Sequence, residues 1–237
     1  MQRRNLKPMI NCQTCPNQKC YVFHDCSPEW IRIIDSTKEQ TIFKKGQQII
    51  REGDKVTGLY FIQEGKVKII SNGINGKEQI VRLAADGYVI GHCAFSGETY
   101  PVGAIALDDT RACFVSNEIL KQAYLDNPPF VLSFMKYYSA ELRKMEMRLK
   151  YLAQMSIREK VAEAITYLFD TFGINPATQV LNVHLSRQEL ADLIGTNAEQ
   201  VTRQLTIFEE EKILVREGKE LKLLDLELLK KIIIKYN

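Results

Sequence analysis

Four of the chain's six cysteines crowd together as Cys12-Gln-Thr-Cys15-Pro-Asn-Gln-Lys-Cys20 and, a little further on, Cys26, while Cys93 and Cys113 stand alone far downstream. Close thiol spacings in a reducing compartment serve metal binding or redox chemistry more often than disulfides. No apolar stretch of signal-peptide length precedes Cys12, which predicts a cytoplasmic, reducing setting. Four thiolates suit an iron–sulfur cluster or a zinc ion. His24 and His92 are possible substitute ligands, though a lone histidine is usually an ordinary surface or core residue. An isolated cysteine such as Cys93 is more often a small buried hydrophobe. No nucleophile–base pair, phosphate loop or HExxH element accompanies the thiols, so no enzyme is predicted.

The elements that must position these thiols divide the chain in two. Ten of the thirteen glycines fall between Gly46 and Gly103, and the next is Gly173. Within the glycine-rich part, eight short β-branched and aromatic runs lie between turns: residues 41–43, 48–50, 59–62, 67–70, 79–83, 88–90, 104–107 and 112–115. Such closely spaced strands read as an antiparallel barrel or roll. From Pro129 to Ala153 the period becomes helical, and Val131, Met135, Tyr138, Leu142, Met145, Leu149 and Leu152 recur at alternating spacings of four and three. That seam predicts a dimer helix, the plainer alternative being a helix that packs on its own roll.

Three Ser/Thr-x-x-Glu signatures follow, at Ser156–Glu159, Ser186–Glu189 and Thr196–Glu199, each predicting a capped helix start. The last two lie close enough for a helix-turn-helix, whose second helix enters the DNA major groove. Glu199, Thr202 and Arg203 then share one face. Arginine can grip guanine O6 and N7, glutamate can accept from cytosine N4, and threonine offers a hydroxyl and a methyl. A hairpin or wing is expected over residues 213–224. Bulk charge gives no help, with 32 Lys and Arg against 29 Asp and Glu, and from His184 onward nine basic residues face ten acidic ones. A single copy should therefore hold phosphate weakly, and two copies on a two-fold site are expected.

The stretches Lys45-Gly-Gln-Gln-Ile-Ile-Arg-Glu-Gly53, Leu59-Tyr-Phe-Ile-Gln-Glu-Gly65, Leu185-Ser-Arg-Gln-Glu-Leu-Ala191 and Glu199-Gln-Val-Thr-Arg203, with the helix seam between them, resemble bacterial transcription regulators of the Crp/Fnr family. The resemblance is to the oxygen-sensing, fumarate-nitrate-reduction branch. It implies an α+β chain in four parts: a Cys-rich arm (1–28), an antiparallel β-roll of the double-stranded jelly-roll, cyclic-nucleotide-binding type (29–127), a dimerisation helix (128–154) and a winged helix-turn-helix (155–237). It adds Ser186 and Arg187 to the DNA contacts, and implies a homodimer on double-stranded DNA that works with RNA polymerase. Half-sites resembling TTGAT and ATCAA are implied, because Ala198 stands where the cyclic-AMP branch has an arginine.

The same resemblance makes Cys12, Cys15, Cys20 and Cys113 the ligands of a [4Fe-4S] cluster. The spacing from Cys15 to Cys20 is one residue shorter than the family's usual pattern, and Cys26 is a rival third ligand. Met145 occupies a seam position where the oxygen sensor has an acidic residue, which implies a dimer that persists without the cluster. The stretch from Gly91 to Gly103 lacks the arginine that grips a cyclic phosphate, so cyclic-AMP binding is not expected. Another effector, such as haem or nitric oxide, and an iron–sulfur redox protein without DNA binding are the competing expectations.

Overall fold

A computed structural model of the chain describes residues 9–73, 76–91 and 97–233, so His92 and Cys93 lie outside the described residues. All eight runs singled out above form strands: β1 (Glu39–Phe43), β2 (Gln48–Ile50), β3 (Gly58–Glu64), β4 (Val67–Asn72), β5 (Glu78–Ala84), β6 (Val89–Ile90), β7 (Gly103–Ala106) and β8 (Thr110–Ser116). They pair antiparallel in two four-stranded sheets, ordered β1-β8-β3-β6 and β2-β7-β4-β5. Side chains alternate across a strand, so each sheet sends one face inward, where Phe43, Ile49, Ile62, Ile69 and Ile90 share a buried core. The antiparallel roll expected from the sequence is present.

Helices at the edge of this roll were not anticipated. After a single 3-10 turn at Cys12–Thr14, the arm forms α1 (Tyr21–Asp25) and α2 (Pro28–Thr37). Helix α2 starts where the Ser27 side chain accepts from the Trp30 amide and Pro28 supplies a preset φ at the first position. The first strand begins at Glu39. Helix α3 (Asn117–Asp126) starts straight after β8, with Ser116 as its cap. Residues 117–120 are therefore helical, and the strand carrying Cys113 ends at Ser116.

Helix α4 (Pro128–Gln154) has two apolar stripes. Phe130, Phe134 and Tyr137 are buried toward the roll, together with Glu141, whereas Met135, Leu142, Met145 and Leu149 are 62%, 62%, 41% and 70% exposed. The packed-on-its-own-roll alternative thus describes the aromatic stripe and not the seam. Between helix and roll, the Arg82 guanidinium of β5 is buried and donates to Glu141 Oε2 at 2.7 Å, to the Tyr137 hydroxyl at 3.1 Å and to the Val89 carbonyl at 3.2 Å.

The C-terminal part comprises α5 (Ile157–Phe172), α6 (Arg187–Ile194), α7 (Ala198–Glu210), the hairpin β9 (Leu214–Glu217) and β10 (Glu220–Leu223), and α8 (Leu226–Ile233). Capping boxes open α5 at Ser156 and α6 at Ser186, as expected. The third does not form. Asn197, not Thr196, caps α7 by accepting from the Gln200 amide, because Gly195 in the left-handed region (φ 67°, ψ 44°) closes α6 and leaves Thr196 as a linker. Helix α6 rests on the roll: Lys68 of β4 reaches Glu78 at 2.8 Å and Glu189 at 3.0 Å, and Gln79 of β5 donates to the Asp192 carbonyl. Among the described residues no helix is long and apolar enough to cross a membrane.

Burial pushes the Glu141 carboxyl up, but hydrogen bonds from Arg82 and Lys144 outweigh it and hold the carboxyl below the ordinary glutamate range. A carboxyl lowered on folding contributes stability above its unfolded value of about 4.3, and loses that contribution as the pH falls. Glu141→Gln should cost on the order of 3 kcal/mol at pH 7, because Arg82 is left buried without its counter-charge. Denaturant titrations at pH 7 and pH 4 check this: the gap between the two proteins should narrow at pH 4, and an unchanged gap would show that charge is not what matters there.

Candidate cysteine cavity and nucleic-acid interface

The register of the first sheet sets the cysteine site. Cys113 on β8 lies between Gln40 on β1 and Phe61 on β3. The arm crosses this spot. The Asn17 amide nitrogen donates to the Ile62 and Gln63 carbonyls at 3.0 and 2.9 Å, the Ile10 amide donates to Gln40 Oε1 at 2.9 Å, and the Cys12 amide donates to Asp35 Oδ1 at 2.8 Å. As a result Cys12, Cys15, Cys20 and Cys113 all line one cavity, walled by Ile10, Val22, Ile34, Phe61 and Val115. Cys26 does not line it. That residue is buried in the aromatic core with Trp30 and Phe130, where burial pushes its thiol up to about 12.

The four sulfurs ring the cavity without converging: among the described residues, no three or more Cys, His, Asp or Glu side chains are grouped closely enough to hold a metal ion. The free space is about 30 Å³. Burial raises the Cys12 thiol to about 12 and also raises Cys113, which favours the neutral thiols until a metal supplies the opposing charge.

Three polar side chains that the sequence reading passed over complete the wall. Lys38, 6% exposed, donates from its ammonium to Cys12 Sγ at 3.1 Å. Gln40 Nε2 donates to Cys113 Sγ at 3.4 Å and to Gln63 Oε1 at 2.9 Å. Gln63 Nε2 is buried in the same wall and has no hydrogen-bond partner among the described residues. An orphaned donor, a buried cation and four soft sulfurs fit an anionic group with sulfur acceptors. No local motif announces a lysine at the end of α2 and glutamines in two separate strands.

From this cavity the chain leads directly to α4. The residue after Cys20 is Tyr21, whose ring lies 5.8 Å from Phe134 and 5.4 Å from Tyr137.

At the other end of the molecule, α7 buries Val201, Gln204, Leu205 and Phe208 and turns Glu199, Gln200, Thr202 and Arg203 to solvent. None of the ion pairs among the described residues joins Glu199 to Arg203. The Thr202 hydroxyl donates to the Ala198 carbonyl at 2.7 Å, which leaves its methyl and an oxygen lone pair on the face. Ser186 and Arg187 stand at the start of α6, the serine exposed and the arginine half-buried. The wing is clipped to α7 by Arg216, which donates through its amide and Nε to Glu209 at 2.7 and 2.6 Å. Its turn is tight, Glu217 pairing directly with Glu220.

Inside the roll, the space beside Gly91 and Gly103 is lined by Ile50, Ile69, Ile90 and Tyr100 and amounts to about 20 Å³. The Tyr100 hydroxyl spans it to the Gly58 carbonyl at 2.9 Å.

Comparison with known proteins agrees with this layout. Residues 40–127 match the cyclic nucleotide-binding domain family and residues 159–232 the Crp-like helix-turn-helix domain family. A transcriptional activator protein, anr, of Pseudomonas aeruginosa is 26% identical over 220 residues, covering 92% of this chain and 90% of that one. The fumarate and nitrate reduction regulatory protein of Vibrio cholerae is 26% identical over 220 residues, covering 91% and 87%. Among solved structures, FixK2 from Bradyrhizobium japonicum superposes with a TM-score of 0.74 at 22% identity, over 82% of this chain and 96% of that one.

The arm also passes close to the roll at Gly87, where φ is +85° and an added Cβ would fall 2.4 Å from Lys19 Cβ. Gly87→Ala should therefore lift the arm while the roll stays folded, at a cost of about 1–3 kcal/mol locally. Hydrogen exchange checks this: amides of residues 10–20 should lose protection while those of β3 and β8 keep theirs.

Proposed function

This chain belongs to the Crp/Fnr family of DNA-binding transcription regulators and is not an enzyme, and we propose that it is a cytoplasmic homodimer whose DNA binding is set by oxygen or redox state through a [4Fe-4S] cluster. The observation that carries the proposal is the meeting of three arm cysteines with Cys113 of the roll around one apolar cavity. Cys20, which lines it, is the third ligand in this scheme, and Cys26, which does not, is a core residue. When bound, the cluster supplies four iron sites that thiolates hold and oxygen destroys. The chain's own residues do the rest. Cys12, Cys15 and Cys20 tie the arm to Cys113, and Tyr21 carries the arm's position onto Phe134 and Tyr137 of α4. Loss of the tie frees Tyr21, and α4 responds at its outer stripe.

That outer stripe, with Met135, Leu142, Met145 and Leu149 exposed and Tyr138 and Leu152 flanking them, is the surface on which a second copy docks. The two α7 helices of the pair enter successive major grooves of a palindrome with halves resembling TTGAT and ATCAA. Arg203, Glu199 and Thr202 read base edges, Ser186 and Arg187 meet phosphate, and RNA polymerase is the protein partner at the promoter. The lack of an arginine from Gly91 to Gly103 supports an effector other than cyclic AMP. The match to a Crp-like helix-turn-helix sets aside the redox protein that does not bind DNA.

Protein purified without oxygen should be coloured and contain about four iron and four sulfide per chain, and Cys113→Ala should abolish both. A colourless, iron-free wild-type preparation would overturn the cluster assignment. In gel shifts on the palindrome, Arg203→Ala should weaken binding by about tenfold or more, since a bidentate arginine–guanine contact is worth roughly 1–3 kcal/mol. Sedimentation equilibrium gives a further check: cluster-free protein should remain dimeric at micromolar concentration, Met145→Asp should be monomeric, and an apo monomer would contradict the role given to Met145.

A further inference from the structure

Among the described residues Lys38 is the only lysine that lines the cysteine cavity, and its side chain is 3% exposed. An ammonium has three N–H donors, and here each has a separate acceptor: the Ile10 carbonyl at 2.8 Å, Asp35 Oδ1 at 2.7 Å and Cys12 Sγ at 3.1 Å. Two of the three acceptors belong to the arm. The charges facing it are few. Asp35 lies on the outer side, 20% exposed and so better screened by water, and Arg111 sits behind Gln40 with its guanidinium 3.0 Å from Gln40 Oε1. The ammonium is thus held at a fixed point beside Cys12, with Asp35 as its carboxylate partner on the outer side and the cavity on the other.

Resting on the cluster assignment above, we propose that Lys38 is a positioning residue for that group: its ammonium is the fixed counter-charge of the cavity, and it sets the cluster's reduction potential and holds the Cys12 ligand in place. Adding one electron to the cluster increases negative charge beside Lys38, so the cation favours the reduced form. Conversely, a cluster without this cation gives up an electron more readily. The step is a plain one-electron exchange with a mediator dye: the cluster gains the electron that the reduced dye loses, no bond breaks and no proton is transferred. Gln40 Nε2, donating to Cys113 Sγ, plays the uncharged counterpart on the roll side.

The experiment is an anaerobic redox titration of full-length protein, followed by the cluster's absorption and the spin signal of the reduced form, in wild type, Lys38→Arg, Lys38→Gln and Lys38→Met. Lys38→Arg keeps the charge and should match wild type within about twofold in reduced-to-oxidised ratio at fixed dye potential. Lys38→Gln keeps a donor but not the charge, and like Lys38→Met should shift that ratio at least tenfold toward the oxidised form, about 59 mV for a one-electron couple. Failure of Lys38→Gln and Lys38→Met to take up iron, with Lys38→Arg loading normally, also supports the counter-charge. Equal potentials in all four proteins overturn it while leaving the cluster assignment intact. If wild type itself takes up no iron, the assignment falls and Lys38 falls with it.

Discussion

Phe134 is the side chain on which the sensor half of the molecule converges. Its ring lies 5.8 Å from Tyr21 of α1, 6.2 Å from Phe61 of β3, 5.3 Å from Tyr124 of α3 and 5.0 Å from Phe130 on its own helix. Aromatic pairs at these separations add to simple area burial, and the edge-to-face geometry of the pairs with Phe61, Tyr124 and Phe130 fixes angles as well as distances. The arm, the roll and the long helix are thus held by one cluster, and none of the three can move far without disturbing the contacts of the others. The Arg82–Glu141–Tyr137 network extends the grip one turn along α4, so the helix is seated by rings at one end and by a buried ion pair beyond.

This seating explains how α4 can carry two different patterns. A helix that buried both stripes against the roll would need to be wrapped on both sides, and the roll offers one surface only. The aromatic stripe takes that surface. The aliphatic stripe faces away from it, where flanking Arg143, Lys144 and Glu146 keep the exposed edge wettable. The two stripes are phased by the same backbone, so a rotation of the helix that alters the ring contacts reorients the aliphatic side too.

The strand runs, the long helix and two of the three capped starts were legible in the sequence because each is a local pattern: period two, period three and a half, or a hydroxyl followed by a glutamate. The helices α2 and α3 have ordinary starts at Ser27-Pro28 and Ser116, but each is short and abuts a cysteine-rich or strand-like segment whose local pattern masks the helical one. At Thr196, two good capping residues are adjacent, and the left-handed Gly195 decides between them through geometry that sequence spacing does not carry. The thiols were legible from their spacing. Their wall was not, because Lys38, Gln40 and Gln63 become neighbours only through β1-β8-β3 pairing and the end of α2.

The seat of α6 on the roll has a property that follows from its partners. Lys68 bonds both Glu78 of its own sheet and Glu189 of the helix, and Glu189 also accepts from the Ser186 amide that it caps. If the C-terminal unit swung away, Lys68 would keep Glu78 and Glu189 would keep Ser186, so neither ion would be stranded. Apolar contact, in the cluster that Ile80 and Leu83 share with Leu190 and Ile194, would resist the swing together with two neutral hydrogen bonds, from Gln79 to the Asp192 carbonyl and from the Leu83 amide to the Tyr167 hydroxyl. Such a joint can part and re-form without ever exposing an orphan charge.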